Sequence, residues 1–71
     1  MKKQITIEGM SCGHCVKHVE EALKGVSGVS HVEVNLVGKN AIVEVSDSVT
    51  DLILKEAIEE AGYEATEINP L

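Results

Sequence analysis

Four stretches of the chain alternate apolar and polar residues, which is the pattern of half-buried β-strands. They are residues 4–8, 32–36, 41–45 and, with the poorest alternation, 63–68. Only the turn Gly38-Lys39-Asn40 and its neighbours separate the second strand from the third. Because this connection is so short, we expect these two strands to form a hairpin.

Two further stretches repeat apolar residues at intervals of three and four, which predicts amphipathic helices. The first helix begins near residue 14, and its apolar face is Val16, Val19, Ala22, Leu23 and Val26. The second begins after Thr50, whose hydroxyl can cap it, and ends at Gly62, which suits the left-handed position after a helix. Its apolar face is Leu54, Ala57, Ile58 and Ala61.

The predicted order of elements is therefore β-α-β-β-α-β, in a single domain over residues 1–71. Two βαβ halves joined through a hairpin describe the ferredoxin-like arrangement of the α+β class. We expect a ferredoxin-like βαββαβ sandwich, in which both helices cover one face of a four-stranded antiparallel sheet.

Composition and charge exclude several functions. The 71 residues include 12 acidic side chains against 6 lysines and no arginine, which gives a formal net charge of −6. Nucleic-acid binding requires clustered cations for the phosphates, so we expect none here. No apolar run approaches the roughly 20 residues of a membrane helix, so we expect no membrane insertion. So small a chain has little interior for a substrate cavity, which argues against an enzyme.

Two cysteines carry the candidate chemistry. Cys12 and Cys15 are separated by Gly13 and His14, where the first strand gives way to the first helix. Two intervening residues allow both sulfurs to converge on one point, and the first turn of a helix favours a thiolate at Cys15. Two thiolates with few other donors suit the soft ion Cu(I), whereas a structural zinc site requires four ligands.

This spacing alone leaves three interpretations open. The first is a site for a soft metal ion. The second is a thiol–disulfide oxidoreductase, since Cys-Gly-His-Cys is also the active-site sequence of protein disulfide isomerases. Against the second, no tryptophan precedes the motif, and the only proline is Pro70 at the end of the chain. In the third interpretation, the two cysteines have no functional consequence.

A longer pattern resembles the heavy-metal-associated domain family. It comprises Gly9-Met10-Ser11-Cys12-Gly13-His14-Cys15, then Val16, Val19, Glu20 and Leu23, and later Gly28-Val29, Val32-Glu33-Val34, Ala57-Ile58 and Gly62-Tyr63. The resemblance extends over almost the whole chain and is strongest to the small bacterial copper chaperones of that family. It implies the ferredoxin-like fold and a protein that carries Cu(I) and passes it to a partner domain.

By this resemblance, Cys12 and Cys15 are the metal ligands. Ser11 stands where the family usually has threonine and keeps the hydroxyl. Gly13 lets the loop bend and brings no bulk near the sulfurs. The family uses its methionine as a buried plug beneath the loop, so we expect Met10 to pack there and not to bind the metal.

The resemblance also suggests roles for Tyr63 and for the histidines. In similar bacterial proteins the tyrosine lies beside the metal loop, where Tyr63 would shield the site and form a hydrogen bond. As the only aromatic residue, it is equally suited to the core. We expect His14 to point away from the metal and to tune the thiols, with direct ligation as the alternative. His18 and His31 are expected on the surface.

The function implied by the resemblance is to bind Cu(I) and to deliver it by thiolate ligand exchange. The implied partner is the metal-binding domain of a copper-transporting P-type ATPase. The alternatives are the oxidoreductase, a mercury-binding carrier, and a regulatory domain of such a transporter. Met1 and an end that coincides with the last strand favour a free-standing protein. The soft ions Hg(II) and Ag(I) suit the same pair of thiols.

Compartment and assembly follow from the same features. Reduced thiols and the lack of a signal sequence predict a cytoplasmic protein. We expect a monomer without metal, and a dimer when exposed thiolates of two copies bridge copper. Lys17 is the only cation expected near the site. The net charge of −6 therefore either favours a complementary partner surface or simply keeps the protein in solution.

Overall fold

The computed structural model describes residues 1–71 and has the predicted order of elements. They are β1 (Lys2–Glu8), α1 (Gly13–Lys24), β2 (Val29–Asn35), β3 (Asn40–Val45), α2 (Asp51–Glu60) and β4 (Glu64–Pro70). The strands form one sheet in the order β2-β3-β1-β4, and each neighbouring pair is antiparallel. The ferredoxin-like βαββαβ fold is therefore confirmed. Neither helix has the length and apolar character needed to cross a membrane.

One hydrophobic core of 13 buried side chains joins the sheet to the helices. Its fully buried members include Ile5 from β1, Val43 from β3, Leu23 from α1, and Leu54 and Ile58 from α2. The helices contact each other, and α1 lies against β2 whereas α2 lies against β4. Because all of these elements share one core, the two helices cover the same face of the sheet.

All four strands differ from their predicted limits: β1 begins earlier, at Lys2, and β3 at Asn40, while β2 and β4 differ at both ends. β2 begins at Val29, because a register shift before His31 allows Val29 to pair with Val45 where the alternation is interrupted. Leu36, predicted within that strand, lies in the following turn and is partly buried against the core. β4 extends to Pro70, which is tolerated because β4 lies at the edge of the sheet and one side of its backbone has no strand to pair with.

Candidate metal site

The loop between β1 and α1 carries the candidate site. Gly9 ends β1 with a φ of +98°, a left-handed conformation that glycine adopts at little cost. Met10 then turns inward and joins the hydrophobic core, with 5% of its surface exposed. Ser11 and Cys12 follow on the surface. A single buried side chain thus anchors the loop from below, which is the packing expected of Met10.

The two thiols lie close together at the start of α1. Cys12 Sγ and Cys15 Sγ are 3.5 Å apart, and both cysteines are free. Cys12 is the N-cap residue of the helix and is exposed, whereas Cys15 lies in the first turn and packs partly against the core. The pair is therefore accessible mainly from the side of Cys12.

Hydrogen bonds lower the pKa of the Cys15 thiol to about 6, and the largest effect comes from the backbone N–H of Ser11. The Tyr63 hydroxyl and then the Cys12 thiol contribute further hydrogen bonds, against the opposing effect of partial burial. Cys15 is therefore mostly a thiolate at neutral pH. We expected the first turn of α1 to supply this effect, but its main source is an amide of the preceding loop.

The end of α2 positions Tyr63 beside this loop. The N–H of Tyr63 bonds to the carbonyl of Ile58 at 3.1 Å, and the N–H of Gly62 to that of Glu59 at 3.0 Å, which is the Schellman pattern. Gly62 has the left-handed φ of +96° that this motif requires. The ring reaches the loop, since Tyr63 Cδ1 lies 3.5 Å from where a Cβ on Gly9 would be.

Tyr63 packs partly against the core, while its hydroxyl reaches polar groups of α1. The hydroxyl oxygen lies 3.4 Å from His18 Nδ1. The hydrogen bond to Cys15 raises the pKa of Tyr63, and burial and then the charges of Cys15 and Cys12 raise it further. Tyr63 therefore combines the two arrangements that the sequence left open, core packing and contact with the site.

Gly13 and His14 lie between the two cysteines. Gly13 is the first residue of α1 and has no positive φ. A Cβ placed on it would lie in open space, with no neighbouring atom within 4 Å. The expectation that Gly13 bends the loop is therefore wrong, because the left-handed residue is Gly9. His14 is exposed, and no group of three or more His, Cys, Asp or Glu side chains is arranged to hold a metal. The candidate donors are therefore the two sulfurs.

His18 and His31 are exposed, as expected. His18 nevertheless contacts the hydroxyl of Tyr63, 45 positions further along the chain. His18 follows Cys15 by three residues, which places both on one side of α1. This spacing was the only feature of the sequence that pointed to His18 as a neighbour of the site. The tyrosine partner was not apparent from the pattern, because only the fold brings it there.

A ferredoxin-like sandwich with two close thiols at the start of its first helix is the architecture of a small metal-binding domain. The model of the heavy-metal-associated domain family matches residues 4–64. The chain therefore belongs to the heavy-metal-associated domain family.

Individual relatives fall into two groups. The chain is 53% identical over 64 residues to the copper chaperone CopZ of Staphylococcus epidermidis, which covers 89% of this chain and 94% of that protein. It is 42% identical over 69 residues to copper-transporting ATPase 2 of Rhizobium meliloti, which covers 96% of this chain and 8% of that protein. Among solved structures, it resembles a copper binding domain from HMA7, a P-type ATPase. The TM-score is 0.90 and the identity 40%, covering 99% of this chain and 96% of that one.

Proposed function

We propose that this protein is a copper chaperone, which carries Cu(I) on Cys12 and Cys15 and delivers it to the metal-binding domain of a copper-transporting P-type ATPase. The observation that carries the proposal is the pair of sulfurs 3.5 Å apart at an exposed loop. Soft thiolate ligands favour Cu(I), and the lowered pKa of Cys15 supplies one thiolate at neutral pH. The similarity to a copper chaperone and to a copper-transporting ATPase supports the same cargo.

Five neighbouring residues support the two ligands in this proposal. Met10 anchors the loop by packing into the core, and the backbone N–H of Ser11 donates a hydrogen bond to the Cys15 thiolate. Gly13 keeps bulk away from the sulfurs, and His14 tunes the thiols from an exposed position. Tyr63 covers one side of the site and donates a hydrogen bond to it. Each role acts on the sulfurs without adding a further metal ligand.

Delivery proceeds by ligand exchange, in which a new Cu–S bond forms before an old one breaks. A thiolate of the partner first binds the copper, which then has three sulfur ligands. Cys12 leaves next because it is the more exposed of the two, and Cys15 leaves when the second partner thiolate binds. Copper remains Cu(I) throughout, so no electrons are transferred and no covalent substrate bond is broken. The protein therefore acts as a carrier and not as an enzyme.

The central test is a Cu(I) titration of the reduced protein against a competing chelator. We expect tight binding of copper, and loss of that binding in both Cys12→Ser and Cys15→Ser. A matched control combines Cys12→Ser with Ser27→Cys, which keeps two thiols in the chain but moves one to an exposed turn. We expect this variant to bind as weakly as Cys12→Ser. Tight binding that survives loss of both native thiols would contradict the proposal.

The location of the thiol with the lowered pKa argues against the oxidoreductase alternative. Thiol–disulfide exchange requires an accessible thiolate. The lowered pKa belongs to Cys15, which is partly covered, whereas Cys12 is the exposed thiol. We expect insulin reduction to proceed no faster than with a simple dithiol, and rapid turnover would favour the enzyme. A mercury carrier would instead deliver Hg(II), and not Cu(I), to its partner domain.

Docking on the partner must be weak enough for release, and we propose that charge assists it. The net charge of −6 favours a complementary positive surface on the ATPase domain. Titration of the partner at low and high salt tests this, since exposed charges are screened within about 8 Å at physiological ionic strength. We expect affinity to fall as salt rises. An affinity that does not depend on salt would remove the steering role and leave solubility as the reason for the charge.

We also propose that the protein works in the reducing cytoplasm, as a monomer when metal-free. Reduced thiols are maintained there, which keeps both ligands available. Because Cys12 is exposed, copper can bridge the thiolates of two copies. Mass measured against the ratio of copper to protein tests this. We expect monomer without copper and dimer as copper accumulates, and a monomer at every ratio would contradict the bridged dimer.

A further inference from the structure

Helix α1 carries two of the three histidines of the chain. His14 and His18 are four residues apart within this helix, and both are exposed. Residues at this spacing on an α-helix are neighbours on its surface, with Cβ atoms about 5–6 Å apart. The two imidazoles can therefore reach one point above the helix. The proposed copper function gives His14 only an indirect role and gives His18 none.

The contact between His18 and Tyr63 favours one ring nitrogen of His18 for binding. The Tyr63 hydroxyl oxygen lies 3.4 Å from His18 Nδ1. A histidine that binds a metal ion through one nitrogen usually donates the N–H of the other to a nearby acceptor, which fixes the tautomer and orients the ring. The phenolic oxygen can accept such a bond. With Nδ1 held by Tyr63, Nε2 remains for a metal ion.

We propose that His14 and His18 form a second metal site, which binds Zn(II) through their imidazole nitrogens. Imidazole suits Zn(II), and helical zinc motifs present two histidines at this same spacing of four. No third ligand is in place, so water completes the coordination and the site is weaker than a closed structural one. The exposed Glu21 follows His18 by three residues and adds a negative charge on the same side of α1.

This site differs in chemistry from the pair of cysteines. Soft thiolates select Cu(I), whereas imidazoles select ions of intermediate softness, so the two sites can be filled by different metals. Thiolates also bind Zn(II), however. A test of the histidines must therefore remove the thiols or occupy them with copper.

The first test is a Zn(II) titration against a chromophoric chelator in a protein that combines Cys12→Ser with Cys15→Ser. We expect one zinc ion per chain. Adding His14→Gln or His18→Gln should weaken binding by more than about tenfold, since loss of an outer-shell partner alone costs that much. His31→Gln, a matched change on the exposed surface of β2, should leave the affinity unchanged. Equal affinity with and without His18 would overturn the proposal.

A second variant tests the spacing and not the number of histidines. In the same thiol-free background, His18→Lys combined with Lys24→His keeps three histidines and the net charge. It places the moved imidazole about 15 Å from His14 along the helix axis, too far to share an ion. We expect zinc binding as weak as in His18→Gln. Binding as tight as with the native arrangement would contradict a site that depends on this spacing.

NMR identifies the nitrogens that bind. In long-range ¹H–¹⁵N spectra of the thiol-free protein, zinc should shift Nε2 of His14 and of His18, and Nδ1–H should remain at His18. The signals of His31 should not change. Zinc bound through Nδ1 of His18 would overturn the proposal, because the contact with Tyr63 would then be lost.

The last arm uses the unaltered protein loaded with Cu(I), so it does not depend on how well the thiol-free variants fold. We expect Zn(II) to shift the signals of His14 and His18 without releasing copper. Release of one copper ion for each zinc ion bound would show that the two metals compete for one site. A reduced protein that binds no Cu(I) would contradict the proposed function instead. The zinc titration of the thiol-free protein would still decide the role of the histidines, so the two failures are distinguishable.

Discussion

The two helices of this fold begin in different ways. At α2, Thr50 accepts a hydrogen bond from the N–H of Ile53, and the first turn contains Asp51, which pairs with Lys3. At α1, the N-cap residue is Cys12, whose side chain forms no capping hydrogen bond, and the first turn contains no acidic residue. The start of α2 is therefore stabilised by neighbouring side chains, whereas the start of α1 is not.

This difference indicates that the start of α1 has a role other than stabilising the helix. A side-chain cap is worth about 1 kcal/mol, and α1 forgoes it at Cys12. The sulfurs of Cys12 and Cys15 face each other instead, and the loop is stabilised from below by Met10. The start of α1 therefore lacks the stability of a side-chain cap and instead presents a pair of thiols, of which Cys12 is the more exposed. The predictions below therefore separate metal binding from stability at the two helix starts.

The largest effect is expected from Cys12→Ser, which should act in opposite directions on binding and stability. Loss of a ligand should weaken Cu(I) binding by more than the roughly 100-fold that loss of an outer-shell partner costs. Serine is a good N-cap residue, and the backbone at Cys12 is extended as a cap requires, so the metal-free protein should gain about 0.5–1 kcal/mol. Chelator competition and urea unfolding of the reduced protein measure the two effects. A loss of stability would show that Cys12 is not an uncapped position.

A smaller effect is expected from Met10, and it should fall on stability alone. Met10→Ala removes a buried side chain and should lower the free energy of unfolding by about 2 kcal/mol. Met10→Leu is a volume-conserving control and should cost less than about 1.5 kcal/mol. Neither change should alter the affinity for Cu(I) more than a few-fold. Strong loss of affinity in a stably folded Met10→Leu protein would show that the thioether is a ligand.

Thr50→Ala at the other helix start should cost about 1 kcal/mol of stability and leave Cu(I) binding unchanged. The hydroxyl of Thr50 accepts from the N–H of Ile53, and alanine cannot replace that bond. Thr50→Ser keeps the acceptor and is the matched control. If Thr50→Ala changed the copper affinity, the two helix starts would be coupled. That result would contradict the view that metal binding depends on the start of α1 alone.

Much of this comparison was predictable from the chain, because its signals are local. The cap at Thr50, the stop at Gly62 and the alternation of Ile5 and Ile7 each depend on a few neighbouring residues. The spacing of the two cysteines marked them as a candidate site, and the resemblance to the heavy-metal-associated domain family favoured the metal interpretation. These features were found because the residue type itself carries the property.

The environment of the two thiols depends on groups that a sequence pattern does not reveal. The N–H of Ser11 lowers the pKa of Cys15, and every residue except proline has such a group. His18 meets Tyr63 only because the end of α2 lies beside α1. The bend of the loop was assigned to Gly13 and lies at Gly9, since the sequence gives no backbone angle. Sequence therefore identified the sulfurs, while their environment required the fold.

The last prediction concerns the pH dependence of stability, which should distinguish the two cysteines. The pKa of Cys15 is about 6 in the folded protein and about 8.5 in an unfolded chain. Between these values the unfolded state binds more protons, so the stability of the reduced metal-free protein should rise with pH in this window. This contribution should be lost as the pH falls through 6. The effect is expected to be modest, because the site is close to solvent.

The measurement is the difference between two proteins, so that it isolates the contribution of Cys15. Urea unfolding of the unaltered protein and of Cys15→Ser should give curves of stability against pH that diverge above pH 6 and become parallel again above about 8.5. Contributions that are the same in both proteins cancel in the difference. Curves that stay parallel throughout would mean that the hydrogen bonds of Ser11 and Tyr63 do not favour the thiolate in solution. The chemical asymmetry between Cys15 and Cys12 would then have to come from exposure alone.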